Sequence, residues 1–344
     1  MTSGGAVDGS VPLTVVGGWL GSGKTTLVNA MMSMLAEQGH RVALIQNEFS
    51  EAGMDPTVTD ADSGQVFDNL IELAKGCVCC TVKSDLLGAL QKLVDLNRFT
   101  YYILECSGLA DPGRIASIFW VDEELEIPIH LDAILTVVDA AHCLDQLSAS
   151  EGHCLERQIA YADRIIVNKT DLISSETKRA SLLKRLSEIN VMVPIRSCER
   201  AQGLQLPDLT GLNAYATSSA ELLERQLSVP ASCSHDHSIG AVVLGPFVDV
   251  RVDQNALTRW LAEILWDEDD EAVYGWTIFR VKGVVPGDNG RRVHVQAVQK
   301  LFDTDEGAPW DPSTKPFVKF VVIGRNLKQD LLESGLRQCF TERQ

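Results

Sequence analysis

From Pro12 onward the chain alternates two kinds of apolar pattern. Short solid runs at Leu13–Val16, Val42–Ile45, Tyr101–Leu104, Ala133–Val138 and Arg164–Val167 are followed by stretches with apolar positions at helical spacing, in Thr25–Gln38, Leu86–Asn97, Arg157–Ala162 and Glu176–Ile189. Strands that are apolar on successive residues are buried on both faces, so the alternation predicts an α/β fold, a mostly parallel sheet flanked by helices. A further strand is expected at Val191–Arg196. After a stretch containing Gly, Pro and Ser the pattern changes. Ala241–Val252, Trp276–Val285, Arg291–Leu301 and Phe317–Ile323 read as strands, and only Leu257–Trp266 and Leu327–Cys339 as helices, which predicts a smaller C-terminal α+β domain. The expected division is a flexible tail over 1–11, a first domain over 12–230, a linker over 231–239 and a second domain over 240–344.

Length agrees with two domains, because 344 residues exceed what one hydrophobic core usually holds. A hydrophobic share of 45% with 22% charged residues excludes a disordered, collagen-like or coiled-coil chain. Thirty Lys plus Arg stand against 47 Asp plus Glu, a net charge of −17 that repels a phosphate backbone, so no nucleic-acid partner is expected. No apolar run reaches the roughly 20 residues needed to span a bilayer, so no membrane partner is expected. The opening MTSGGAVDGS has neither a basic nor an apolar signal region, which predicts a cytoplasmic protein with the nucleus as a further address. In such a reducing compartment the nine cysteines, an odd number, point to metal binding or redox chemistry rather than a disulfide framework.

Three segments carry recognisable chemistry. Gly18-Trp19-Leu20-Gly21-Ser22-Gly23-Lys24-Thr25 fits G-x-x-x-x-G-K-[ST] between an expected strand and an expected helix, which is the context this phosphate-binding loop requires. Its glycines let backbone N–H groups turn toward an anion at the positive end of the helix. Lys24 reaches the β and γ phosphates, the Thr25 hydroxyl holds Mg²⁺, and Thr26 is counted with the nucleotide-binding residues. Asn168-Lys169-Thr170-Asp171 follows the strand Arg164–Val167 and reads as a guanine selector: the Asp171 carboxylate accepts from N1–H and the exocyclic amine of guanine, and adenine offers no such pair of donors. Capping of a helix by Asp171 is the alternative. Ser197-Cys198 falls where another base-contacting loop is expected. Glu105-Cys106-Ser107-Gly108, at the end of Tyr101–Leu104, places Glu105 to orient the water shell of Mg²⁺ and leaves room at Gly108 for a backbone N–H to meet the γ-phosphate.

The segment Gly76-Cys77-Val78-Cys79-Cys80 has three thiols within four residues. Thiolates suit Zn²⁺, and three from one loop fill three corners of a tetrahedron. Buried packing and redox chemistry are the competing readings; the glycine lead-in and the density of sulfur favour metal. Cobalt and nickel are chemically open at the same ligands. Gln46-Asn47-Glu48-Phe49-Ser50-Glu51 is read as a segment following its strand, with Glu48 and Glu51 as switch residues facing either Mg²⁺ or the thiolates. His235 and His237 read as part of a polar linker, and the other cysteines as packing.

Together, GGWLGSGKTTLVN, QNEFSE, GCVCC, ECSGLADPG and NKTD resemble the CobW-type metallochaperone GTPases of the P-loop class. FRVKGVV, VQAVQKLFD and FVVIGRNLKQDLL are similar to that family's second domain, and ASIFWVDEEL with LDAILTVVDA is most similar to its eukaryotic branch, the zinc-regulated GTPase metalloprotein activators. The resemblance implies a P-loop GTPase domain, GTP and Mg²⁺ as nucleotide and cofactor, and delivery of Zn²⁺ held at Cys77, Cys79 and Cys80 to a client metalloprotein. The branch's client is methionine aminopeptidase, docked through a Cys-Pro-Glu-Leu motif; no such motif precedes Pro12 here. Two further departures are Gln46, where some bacterial relatives have Glu, and Ser50, where Gly is usual. The expectation is therefore a GTPase whose nucleotide state sets its zinc affinity. A cobalt or nickel carrier, a clientless zinc-homeostasis protein, a P-loop kinase and a signalling GTPase are the alternatives.

Overall fold

The computed structural model describes residues 10–50, 53–60, 88, 90–121, 127–149, 152–215, 239–266 and 275–341. Residues 1–9 of the expected tail and most of the linker, with Cys233, His235 and His237, lie outside them. Of the helix expected at Leu86–Asn97, residues 86, 87 and 89 lie outside them too, while 88 and 90–95 are helical. The chain divides into two compact units. The first comprises Met1–Gln158, Ala162–Leu182 and Pro194–Ala216; the second comprises Ile159–Tyr161, Leu183–Val193 and Thr217–Gln344.

In the first unit, strands β1 (Val11–Gly18), β2 (Val42–Ser50), β3 (Gly53–Asp60), β4 (Tyr101–Cys106), β5 (Ile129–Asp139), β6 (Arg164–Asn168) and β7 (Ile195–Ser197) form one sheet in the order β3-β2-β4-β1-β5-β6-β7. Six strands run parallel, and β3 lies antiparallel to β2 at the edge. Helices α1 (Lys24–Glu37), α2 (Pro112–Val121), α3 (Cys143–Ser148), α4 (Gly152–Tyr161) and α5 (Glu176–Ile189) follow the strands in sequence. The apolar stripe Leu27, Val28, Met31 and Leu35 of α1 packs into a cluster with Val16, Leu44, Ile103, Leu135 and Val137 of the sheet. Each such side chain contributes roughly 1.5–3 kcal/mol by leaving water.

The expected α/β architecture is present, with differences of detail. The segment from Gln46 is not a loop after its strand: β2 continues to Ser50 and turns back as β3. An edge strand has a solvent-facing ladder that tolerates Pro56, so GMDPTVTD gives little strand signal. The strand expected from Val191 begins only at Ile195, after Pro194, and α4 begins at Gly152 instead of Arg157.

A buried carboxylate ties the end of this unit to the sheet. Asp132 of β5 is fully buried; its oxygens accept the Asn213 N–H at 2.6 Å, the Gly211 N–H at 2.8 Å and the Tyr101 hydroxyl at 3.1 Å. Burial pushes its carboxyl above the ordinary range, and these donors oppose that shift. The residues between the last strand and Ala214 are thereby held against β5, and Leu204, Leu209 and Leu212 reach the core beneath.

The second unit carries an antiparallel sheet of β8 (Ile239–Val248), β10 (Thr277–Pro286), β11 (Arg291–Val298), β12 (Leu301–Pro309) and β13 (Phe317–Arg325), ordered β12-β11-β10-β13-β8. Helices α6 (Gln254–Trp266) and α7 (Gln329–Gln338) pack Trp260, Leu261, Leu332 and Leu336 with Val281, Val295 and Phe320 of the sheet. The expected strand Ala241–Val252 breaks at Val248, and Arg251–Val252 (β9) pairs instead with Phe340–Thr341 (β14). Asp249, in a left-handed conformation (φ 59°), makes the break. The expected strand Arg291–Leu301 turns at Gln299 (φ 54°) into β12, whose acidic LFDTDEGAP sequence suits an exposed edge.

Candidate functional site

The site lies at the C-terminal ends of β1, β4, β5 and β6. β1 ends at Gly18, and α1 opens at Lys24, so residues 19–23 form a loop between strand and helix. Gly18, Gly21 and Gly23 all have positive φ, and Gly23 (φ 103°) caps the helix. A side chain on Gly23 would collide with the Asn168 amide nitrogen, so this position needs glycine for both conformation and space. No acidic residue occupies the first turn of α1, which leaves the helix's positive end uncompensated. The Ser22 hydroxyl is buried and finds no hydrogen-bond partner among the described residues.

Lys24 is only 8% exposed, and its ammonium donates to the Gly18 carbonyl at 2.9 Å and the Trp19 carbonyl at 3.1 Å. Burial lowers its pKa, partly opposed by the charge of Glu105 and by Cys106. A cation curled into its own loop, with carbonyls as its hydrogen-bond partners, fits an anion that would complete its neutralisation. Thr25 and Thr26 are exposed on the first turn.

The Thr25 hydroxyl donates to Glu105 Oε1 at 2.7 Å, and Gln46 Nε2 donates to Glu105 Oε2 at 3.0 Å. Cys106 is buried, and burial pushes its thiol up to about 12, so it stays protonated. Gly108 sits against the Leu20 backbone of the phosphate loop, where a side chain would clash with Leu20 N. Gln158 of α4, fully buried, donates to the Gly108 and Ala110 carbonyls at 3.0 Å each and fixes this turn. Gln158 is not legible in the sequence, since a lone glutamine on a helix carries no motif.

At the other end, Asn168 Nδ2 donates to the Ser22 carbonyl at 3.1 Å, and Asn168 Oδ1 accepts from the Cys198 thiol at 3.4 Å. Lys169 adopts φ 59°, and its ammonium bridges the Gly21 carbonyl at 2.7 Å and Asp139 Oδ2 at 2.8 Å. Asp171 is exposed inside the short 3-10 helix Thr170–Leu172, whose cap position is Lys169, so Asp171 does not cap it. Cys198 is 4% exposed, beneath Asn168, while Ser197 is exposed. Asp139, at the end of β5, belongs to no sequence motif. Burial works against its charge, but hydrogen bonds from Lys169, His142 and the Ala141 N–H hold its pKa below the usual value.

The two signature segments therefore close on one loop: Asn168 and Lys169 bind the carbonyls of Ser22 and Gly21, and Thr25 meets Glu105. Glu48 lies on β2, but its side chain, Glu51, Cys77, Cys79 and Cys80 lie outside the described residues. Among the described residues no group of three metal-ligating side chains occurs, and no helix is long and apolar enough to cross a membrane.

A parallel sheet with a glycine loop feeding a helix, and an Asn-Lys-Thr-Asp turn bonded to that loop, defines the P-loop nucleotide-binding class. Residues 12–196 match the family model for the CobW/HypB/UreG nucleotide-binding domain, and residues 247–340 match the cobalamin synthesis protein cobW C-terminal domain. The chain belongs to the CobW/HypB/UreG family. It is 30% identical to zinc-regulated GTPase metalloprotein activator 1 of Schizosaccharomyces pombe, over 92% of this chain and 83% of that one. It is 29% identical to the zinc chaperone YjiA of Escherichia coli, over 95% and 99% respectively. The crystal structure of the Zn(II)-bound YjiA GTPase from E. coli superposes with a TM-score of 0.69 at 26% identity, covering 96% of this chain and 99% of that one.

Proposed function

We propose that this chain is a GTPase that couples GTP binding and hydrolysis to delivery of Zn²⁺ into a client metalloprotein. The observation that carries the reading is the closure of both signature segments on one phosphate loop. The named relatives, zinc chaperones and zinc-regulated GTPases, support the zinc half.

In this reading the N–H groups of Gly21–Thr26 and the Lys24 ammonium receive the phosphates of GTP, which is cleaved by water to GDP and phosphate. Mg²⁺ fits the hydroxyl–carboxylate pair of Thr25 and Glu105, and when bound it neutralises charge between the β and γ phosphates. Gly108 offers its N–H near the γ-phosphate, so loss of that phosphate is felt by the turn that Gln158 holds. Asp171 reads the guanine edge from the exposed rim, and Lys169 lays its stem beneath the base. Zn²⁺ is the cargo, held by the thiolates of Cys77, Cys79 and Cys80, with Glu48 and Glu51 as switch residues between nucleotide and cargo. Zinc is preferred over cobalt and nickel on the relatives' names. Methionine aminopeptidase is the finer reading of the client, and the cytoplasm that of the compartment.

Nucleotide competition tests the guanine half. GTP is expected to displace a fluorescent GDP analogue at far lower concentration than ATP. Asp171→Ala should weaken GTP on the order of 100-fold and leave ATP nearly unchanged, because a site built to accept the guanine donors loses them. Equal competition by ATP and GTP in the unsubstituted protein would favour a kinase and overturn the reading.

A further inference from the structure

We infer that Gln46 is a positioning residue for the magnesium corner: its uncharged amide clamps one oxygen of Glu105 so that the other stays on Thr25. The inference rests on the reading of Thr25 and Glu105 as that corner. β2 and β4 run parallel with Gln46 opposite Glu105. Neighbours across a ladder lie about 4.8 Å apart and share a face, so the pairing is set by the backbone. Gln46 Nε2 holds Oε2 at 3.0 Å, while Thr25 holds Oε1 at 2.7 Å. The carboxylate is only 7% exposed, so water is a poor substitute for either donor.

The amide's lack of charge matters. It supplies a donor to Glu105 without competing for the cation or adding a second negative charge. Without it, Oε2 is a buried acceptor lacking a donor, and the carboxylate's remaining attraction is the Lys24 ammonium, with which it already interacts through space. A carboxylate turned toward Lys24 leaves Thr25 and is lost to the magnesium corner. Gln46 also stands two residues before Glu48 on the same strand, so the clamp ties the proposed switch segment to the magnesium corner.

The test measures the affinity of the full chain, washed with EDTA, for a fluorescent GTP analogue across a magnesium titration. Without magnesium, Gln46→Met should bind the analogue within about twofold of the unsubstituted protein. The magnesium concentration that gives half of the tightening should rise roughly tenfold, the loss expected for one hydrogen bond to a charged group. Gln46→Asn, which keeps the amide on a shorter arm, should fall between and carries the test if the Met variant does not fold. In a Glu105→Gln background, Gln46→Met should produce no further shift, because the pair then no longer acts through the carboxylate. An unchanged magnesium requirement in Gln46→Met, or the same shift with Glu105 already replaced, overturns the inference. A protein whose analogue affinity ignores magnesium altogether refutes the corner itself and the inference with it.

Discussion

Lys24→Ala will lower GTP turnover on the order of 10³-fold or more, while the nucleotide-free protein melts no lower than the unsubstituted one. The first half follows from charge. Lys24 is the buried ammonium of the phosphate loop, bonded to the carbonyls of Gly18 and Trp19. One lost neutral donor to developing charge costs about 10²–10³ in rate, and a lost cation in a desolvated cradle costs at least that. The second half follows from the lowered pKa: burial disfavours the ammonium in the empty loop, so removing it relieves a desolvation cost. Lys24→Arg should not rescue, since a planar fork does not fit a loop shaped for a point charge. Phosphate release and thermal unfolding check both halves; turnover within tenfold of the unsubstituted protein would remove Lys24 from the phosphate site.

Replacing Cys77, Cys79 and Cys80 together by Ser will abolish stoichiometric zinc binding and leave GTP affinity within about threefold. Serine hydroxyls stay protonated and hard, so they do not replace thiolates as zinc ligands. Cys106 and Cys198 will not compensate. Both are buried, and burial raises both thiols, Cys106 to about 12, so neither readily supplies a thiolate. GTP affinity survives because the phosphate loop and the guanine turn are held by hydrogen bonds that involve none of the three. Elemental analysis of the purified variant, with a GTP titration, gives both readouts; full zinc content would place the metal elsewhere.

What the sequence carried was the part built from strong local rules. Solid apolar runs marked β1, β4, β5 and β6, all buried on both faces, and glycine spacing marked the loop where Gly23 leaves no room for a side chain. What it did not carry was set by long-range register or by weak propensity. The hairpin partner β3 is polar and contains Pro56, and the turn at Gln299 uses a left-handed residue that is neither Gly nor Asn. Asp139 and Gln158 act by bracing signature residues, so only the fold reveals them. Gln46 is the clearest case. In sequence it stands out only as a place where some bacterial relatives have Glu; strand register sets it beside Glu105.

In the proposed mechanism nucleotide and zinc sense one another. Calorimetric titration of zinc into the protein loaded with GDP, and separately with a non-hydrolysable GTP analogue, tests it most directly. The two affinities are expected to differ by about 5–150-fold, a coupling of roughly 1–3 kcal/mol, with the same factor when nucleotide is titrated into the zinc-loaded protein. Identical zinc affinity in both nucleotide states would contradict it.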